Sequence, residues 1–281
     1  MMLMNRKANL LTLILTGLIF TAFGQRTMPP LPRCKNGFIV IAHRGSHLVK
    51  PENSIAAIEE AIELGADYVE LDLRTTRDGH LVLIHNETVD HTTNGKGRIQ
   101  DLNLDEVEKL SLNAKDGKLY QLTSFKEALK TCKNRINIYL DFKAADVLQA
   151  YKEIVAAGME KQVLVYINKI EQYKSWKAVA PQMPLMSGLP KSIKTKAELR
   201  SFLKEMPLEA TDNIPNETLI DAMRENGLSV FLDVQMADED PIKWKAAMDK
   251  GIHGVQTDHP AALIKYLQIN NLRNGINLSR H

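Results

Sequence analysis

Two histidines close short apolar runs in this 281-residue chain: His43 follows Ile39-Val40-Ile41-Ala42, and His85 follows Leu81-Val82-Leu83-Ile84. Such runs read as buried strands, and strand ends are where a barrel enzyme keeps its catalytic groups. Two histidines so placed suit a general acid and a general base. Alternation along the strands adds carboxylates. In Tyr68 to Leu73, the residues Val69, Leu71 and Leu73 form an apolar face, which leaves Glu70 and Asp72 together on the other. In Ile136 to Lys143, Ile138, Leu140 and Phe142 point outward, so Asp141 and Lys143 point in. Three carboxylates facing one lumen repel one another unless a cation lies among them, and an all-oxygen set suits Mg²⁺ or Ca²⁺ rather than zinc. The same acids paired with Arg44, Arg74 and Lys143 would instead make a structural ion-pair network. His47, His80, His91, His253 and His259 lack comparable placement and read as loop or capping residues.

The elements that must position these groups follow from Phe38 onward, where short β-branched runs alternate with amphipathic helical stretches, the mark of βαβ units and a parallel sheet. Strands are expected at Phe38 to Ala42, Tyr68 to Leu73, Leu81 to Ile84, Ile136 to Asp141, Gln162 to Tyr166, Pro184 to Ser187, Ser229 to Asp233 and Gly254 to Gln256. Eight strands suggest a closed (β/α)8 barrel. The first helix is capped by Asn53 or Ser54, carries Ile55, Ile58 and Ile62 on one face, and ends at Gly65. The second and third runs are joined too tightly for a crossover helix, across Asp78-Gly79. Either a barrel connection has lost its helix or one run is an extra hairpin strand. Residues 91–122 show no convincing strand and read as a small insertion after the third strand, over one end of the barrel.

With 36 basic and 34 acidic residues, 44% hydrophobic and 25% charged, the composition is that of a soluble globular protein and excludes disorder and a multi-span membrane protein. The first 24 residues read as a signal peptide: Arg6 and Lys7, then an apolar run from Leu10 to Phe23 that is too short to span a bilayer, then Ala22 and Gly24 ahead of cleavage before Gln25. The expected location is therefore periplasmic or secreted, with residues 25–281 forming the barrel and no stable membrane insertion after cleavage. Removing Arg6 and Lys7 leaves equal numbers of acids and bases, so no nucleic-acid partner is expected. Cys34 and Cys132 are expected as two free, buried thiols.

Several short motifs now fall into order: His43-Arg44-Gly45, Pro51-Glu52-Asn53-Ser54, Glu70-Leu71-Asp72, Asp78-Gly79, His85, Thr92-Thr93-Asn94-Gly95-Lys96-Gly97 and Gly254-Val255-Gln256-Thr257-Asp258-His259-Pro260. The set resembles the glycerophosphodiester phosphodiesterases, densely over residues 38–110 and again at Tyr139 to Lys143 and 251–265. The resemblance implies a (β/α)8 barrel and metal-dependent hydrolysis of small glycerophosphodiesters to glycerol 3-phosphate and an alcohol. By position it implies that Glu70, Asp72 and Asp141 hold the metal, His43 and His85 form the acid/base pair, and Arg44 and Lys143 clamp the phosphoryl oxygens. Glu52 would orient Arg44 or a metal ligand.

Three departures from the family pattern bear on substrate more than on reaction class. Asn86 follows His85 where the family usually has aspartate, which lowers the basicity expected of that histidine. Asp141 stands where glutamate is common. The strand Ser229 to Asp233 lacks a tryptophan often found there, and Phe231, Asp233 and Gln235 would face in, making the pocket more polar. Two other readings use the same residues: a phosphodiesterase or lyase for lysophospholipids or glycerophosphate polymers, favoured by an exposed apolar rim near Leu102, Leu104 and Leu110, and a non-catalytic periplasmic phosphodiester-binding protein, favoured by Asn86.

Overall fold

Each apolar run pairs with its neighbours because one face must be buried under helices and the other in a lumen. In chain order the strands are β1 (Ile39–Ala42), β2 (Tyr68–Thr75), β3 (Leu81–Leu83), β4 (Ser111–Leu112), β5 (Tyr120–Gln121), β6 (Asn137–Ala144), β7 (Val163–Ile167), β8 (Leu185–Met186), β9 (Ala210–Thr211), β10 (Ser229–Asp233) and β11 (Gly254–Thr257). Strands β1, β11, β10, β9, β8, β7, β6 and β2 bond in that order, all parallel, and β2 pairs back to β1. The sheet therefore closes into the expected (β/α)8 barrel. The computed structural model describes residues 30–214, 216–236 and 238–273, so the signal segment expected over residues 1–24 lies outside the described residues. Among the described residues no helix is long and apolar enough to cross a membrane.

One run expected in the barrel wall lies elsewhere. Leu81–Leu83 is antiparallel to β2, with Leu83 opposite Leu73, so it extends β2 as a hairpin. The five residues between β2 and β3 cannot carry a crossover, and only the hairpin alternative satisfies both strands. Its place in the wall is taken by β9, whose two residues are too few to show alternation in the sequence.

The two faces of the wall differ in chemistry. Val40, Val69, Leu71, Ile138, Leu140, Phe142 and Val165 are buried beneath the outer helices. Ile41, Tyr68, Tyr139, Leu164, Met186, Ala210 and Phe231 fill the lower lumen as a separate apolar plug. The polar residues above that plug stand at the strands' C-terminal ends, the usual barrel mouth. Helix α1 (Ile55–Leu64) sets the first connection: the Ser54 hydroxyl accepts from Ala57 N, and Gly65 ends the helix at φ 81°.

The insertion builds its own small core from Val82, Ile84, Val89, Ile99, Val107 and Leu122, against which Leu102, Leu104 and Leu110 pack. Those three leucines therefore form no exposed rim. The insertion also holds a two-stranded sheet, β4 with β5, where no strand was expected. Lys115 Nζ donates to Leu48 O at 3.0 Å and Lys50 Nζ to Asp116 Oδ2 at 3.0 Å, which ties the insertion to the loop after β1 at the mouth. Both cysteines are free; Cys132 is buried as expected, but Cys34 is only half-buried.

Candidate active site

Register brings the acids together. Pairing of β2 with β6 sets Asp72 opposite Asp141, while Glu70 projects from the same face of β2 one step below. Oxygens of Glu70, Asp72 and Asp141 lie within 4.8 Å of one another, and Glu70 and Asp72 are only 2% and 1% exposed. Burial drives the Glu70 carboxyl well above its ordinary pKa, and the Asp72 and Asp141 charges drive it further. Burial also raises Asp141, against the opposing charge of Lys143. Asp72 Oδ1 is buried and accepts no hydrogen bond. An all-carboxylate set in which Glu70 and Asp141 resist carrying their charge, and in which one Asp72 oxygen accepts no hydrogen bond, fits a hard divalent cation.

The chain holds this cluster from several sides. Asn53 Nδ2 donates to Asp72 Oδ2 at 2.8 Å and Asn53 Oδ1 accepts from Asp72 N at 3.0 Å, a reciprocal clamp. Ser54, rather than Asn53, is thus the helix cap. Asn168 Nδ2 donates to Asp141 Oδ1 at 2.7 Å. Lys143 Nζ bonds Asp141 and lies 3.3 Å from Asp72 Oδ1.

Arg44 occupies the left-handed region at φ 51°, a strained conformation that its surroundings enforce. Its N–H donates to Glu70 Oε2 at 2.9 Å and its carbonyl accepts from Asn53 N at 2.9 Å. Gly45 follows at φ 83°, and a Cβ there would stand 2.7 Å from Ala57 Cβ, so the turn admits only glycine. Arg44 Nη1 donates to Glu52 Oε2 at 3.0 Å, and its Nε lies 3.5 Å from Asp72 Oδ2 without a hydrogen bond. Glu52 thereby orients Arg44 rather than a metal ligand.

His43 ends β1 with Nδ1 2.6 Å from Asp258 Oδ1 and Nε2 3.9 Å from Glu70 Oε2. With the carboxylate accepting at Nδ1, the lone pair is on Nε2, toward the acids. Burial lowers the His43 pKa below its ordinary value; the bond to Asp258 offsets part of this and the Arg44 charge adds to it. Asp258 is raised by burial, but the hydrogen bond and charge of His43, with His47 and Arg44, bring it below its ordinary value. Glu239 fixes the loop that carries Asp258, accepting from Asp258 N at 2.8 Å, Trp244 Nε1 at 3.0 Å and the Thr257 hydroxyl.

His85 reaches the site by a route different from the one expected. It follows the hairpin strand β3, not a wall strand, but β3 runs back toward the mouth and Ile84 N donates to Asp72 O at 3.0 Å, which brings the His85 backbone to the level of Asp72. Arg74 donates from Nε and Nη2 to His85 O at 3.0 and 2.7 Å, so it holds the histidine's backbone instead of pairing with Glu70 or Asp72. His85 Nδ1 lies 2.9 Å from Asn86 Oδ1.

Sequence reasoning missed Asp258, His47, Asn53, Asn168 and Glu239. Asp258 directly follows β11, so the strand-end argument applied to His43 would have found it. His47 is a correction: it packs edge-on against His43 with ring centroids 5.6 Å apart, its Nδ1 2.7 Å from His43 O and its Nε2 3.5 Å from Asp258 Oδ1. Across the lumen stand Asp212, Asp233 and Gln256, with Tyr139 donating to Asp212 Oδ2 at 2.8 Å.

A barrel mouth that joins a metal-competent acid cluster, two imidazoles and two cations carries groups able to move protons and to face an anion. Residues 43–262 match the glycerophosphoryl diester phosphodiesterase family, and the chain belongs to it. It is 31% identical over 246 residues to a glycerophosphodiester phosphodiesterase of Caldanaerobacter subterraneus subsp. tengcongensis, covering 82% of this chain and 98% of that one. The fold is also that of a glycerophosphodiester phosphodiesterase from Agrobacterium tumefaciens (TM-score 0.74, 23% identity, 81% of this chain and 99% of that one). A phosphodiesterase from Oleispira antarctica, solved in complex with the product sn-glycerol-3-phosphate, matches with TM-score 0.69 at 21% identity over 82% of this chain and 96% of that one.

Proposed function

We propose that this enzyme hydrolyses small glycerophosphodiesters to glycerol 3-phosphate and an alcohol, with Mg²⁺ or Ca²⁺ on Glu70, Asp72 and Asp141 and with His43 and His85 as its acid/base pair. The observation that carries this reading is the placing of His43 Nε2 3.9 Å from Glu70, with its other nitrogen held by Asp258. The glycerol 3-phosphate bound to the Oleispira antarctica phosphodiesterase of the same fold supports the product assignment.

A bound divalent ion supplies charge neutralisation for the anionic diester. Arg44 and Lys143, already at the rim of the acid cluster, face the phosphoryl oxygens and offset the charge that grows in the transition state. His43 Nε2 takes the proton of the glycerol hydroxyl next to the ester as that oxygen attacks phosphorus. The bond from phosphorus to the leaving alcohol breaks, and His85 protonates the departing oxygen. Water then opens the cyclic phosphate, with His85 taking the proton of the water and His43 returning one to the ring oxygen. Deacylated phospholipid head groups, as in glycerophosphocholine, glycerophosphoethanolamine or glycerophosphoinositol, are the substrates this chemistry fits.

The test is release of glycerol 3-phosphate from a panel of such diesters with Mg²⁺, Ca²⁺ or chelator, beside His43→Ala and His85→Ala. Ion-dependent turnover lost in both variants is expected; no turnover of any small diester overturns the reading. We also place the protein in the periplasm or outside the cell, on the strength of residues 1–24. A mature N-terminus at Gln25 in a soluble extracytoplasmic fraction is the result expected, and a full-length chain retained in the cytoplasm would contradict it.

A further inference from the structure

We infer that His43, His47 and Asp258 form a second metal site, selective for a borderline ion such as Zn²⁺, whose filling switches the enzyme off. The donor atoms of the three residues lie within 4.8 Å of one another, apart from the acid cluster. Their side chains are 14%, 19% and 24% exposed, so an ion entering the mouth can reach them. Two imidazoles and one carboxylate make a mixed nitrogen and oxygen set, which favours zinc over the hard ions suited to Glu70, Asp72 and Asp141.

The hydrogen bonds of His47 argue for this independently. Its Nδ1 lies 2.7 Å from the carbonyl oxygen of His43, which can only accept, so Nδ1 carries the proton. Metal-binding histidines commonly donate their second nitrogen to a backbone carbonyl in this way. In the neutral ring Nε2 is then a lone pair, and it faces Asp258 Oδ1 at 3.5 Å, also an acceptor. Two acceptors face each other across a space that asks for a cation. For ligands about 2.0–2.2 Å from a tetrahedral zinc, a separation near 3.5 Å is the spacing of adjacent donors.

The third donor, His43 Nδ1, now shares a proton with Asp258 at 2.6 Å. Zinc would displace that proton from Nδ1, and the pair would open by several tenths of an ångström to admit the ion. The displaced proton would move to Nε2 of the same neutral ring, leaving no lone pair toward the acid cluster. The base of the proposed reaction is lost, so the inhibitory half of this inference rests on that function, whereas the binding half does not.

The test titrates Zn²⁺ into the full-length protein in excess Mg²⁺, reading stoichiometry and proton release by calorimetry in two buffers, with Co²⁺ absorption as a report of imidazole ligands. One ion per chain is expected, with no net proton release, because the His43 proton moves from Nδ1 to Nε2. Affinity should fall about 10-fold or more in His47→Ala and persist in Asp141→Asn, which damages the acid cluster instead. Where diesters are hydrolysed, activity should fall in step with the filling of this site. Binding that is unchanged in His47→Ala, or abolished by Asp141→Asn alone, overturns the inference. So does the absence of any zinc site beside saturating Mg²⁺. Tight zinc binding that depends on His47, in a protein that cleaves no diester, would uphold the site and sink the proposed function.

Discussion

His43 and Asp258, 215 residues apart, meet at 2.6 Å between Nδ1 and Oδ1 because β1 and β11 are neighbours in the closed wall. Closure of the barrel thus assembles the proposed base from the two ends of the domain. Asp258 fixes the imidazole tautomer, and through that bond it keeps the His43 pKa from falling further below 6.5 under burial. Asp258→Asn should therefore act in two ways: kcat falls about 10- to 100-fold as the ring loses its orientation. The acid limb of the pH profile moves to lower pH, because removing the carboxylate destabilises the protonated imidazole. A pH series of kcat/KM checks both, and an acid limb that moved upward would contradict the assignment of His43 as base.

Asn53 clamps Asp72 from a backbone at φ 58°, so its test must spare the turn. Asn53→Gly accepts that conformation, whereas alanine would add strain to the loss of the amide. The glycine variant is expected to require about 10- to 100-fold more divalent ion for half-maximal activity, beside a lower melting temperature because the buried Asp72 N–H loses its acceptor. An unchanged requirement would mean that Asp72 holds its orientation without the clamp.

How far the sequence speaks is seen by setting Glu70 and Asp72 beside His85. Alternation along a strand has a period of two, so the lumenal direction of Glu70, Asp72, Asp141 and Lys143 is written locally in the apolar residues between them. The route of His85 is not, since a run of three apolar residues reads alike in a wall strand and in a hairpin. Nor is β9 legible, being two residues held by neighbours on both sides. Asn53, Asn168 and Glu239 act through single side-chain bonds across the fold, and such bonds leave no periodic trace. The resemblance of the motifs supplied roles that alternation alone left open between a metal centre and an ion-pair network.

The acid cluster makes a prediction about stability in the absence of an ion. Glu70 and Asp141 are raised above their ordinary values of 4.5 and 3.8, first by burial. A carboxyl raised by folding binds its proton more tightly folded than unfolded, so stability is full below the ordinary value and falls as pH rises through the folded one. In chelator, the melting temperature should decline from mildly acid to neutral pH. Added Ca²⁺ or Mg²⁺ should restore most at neutral pH, by about 2.7 kcal/mol at 100 times Kd, or on the order of 5–10 °C for a domain of this size. Equal stabilisation at both pH values would show that the ion does not bind these carboxylates.

At the opposite end of the barrel, Asp67 and Arg273 form an ion pair in which both side chains are 3% exposed. Asp67 Oδ2 accepts from Arg273 Nη1 at 2.8 Å and Val40 N at 2.9 Å, and Oδ1 accepts from Asn36 Nδ2 at 2.7 Å. Removing the carboxylate leaves a buried guanidinium with, among the described residues, only the Gly65 carbonyl to accept from it and the Val40 N–H without a partner, which costs far more than the pair itself contributes. Asp67→Ala should lose about 3–5 kcal/mol of unfolding free energy. Asp67→Asn keeps one acceptor and should lose less. Urea unfolding at constant m-value measures the difference, and an alanine variant within about 1 kcal/mol of the parent would mean that water satisfies Arg273 in place of Asp67.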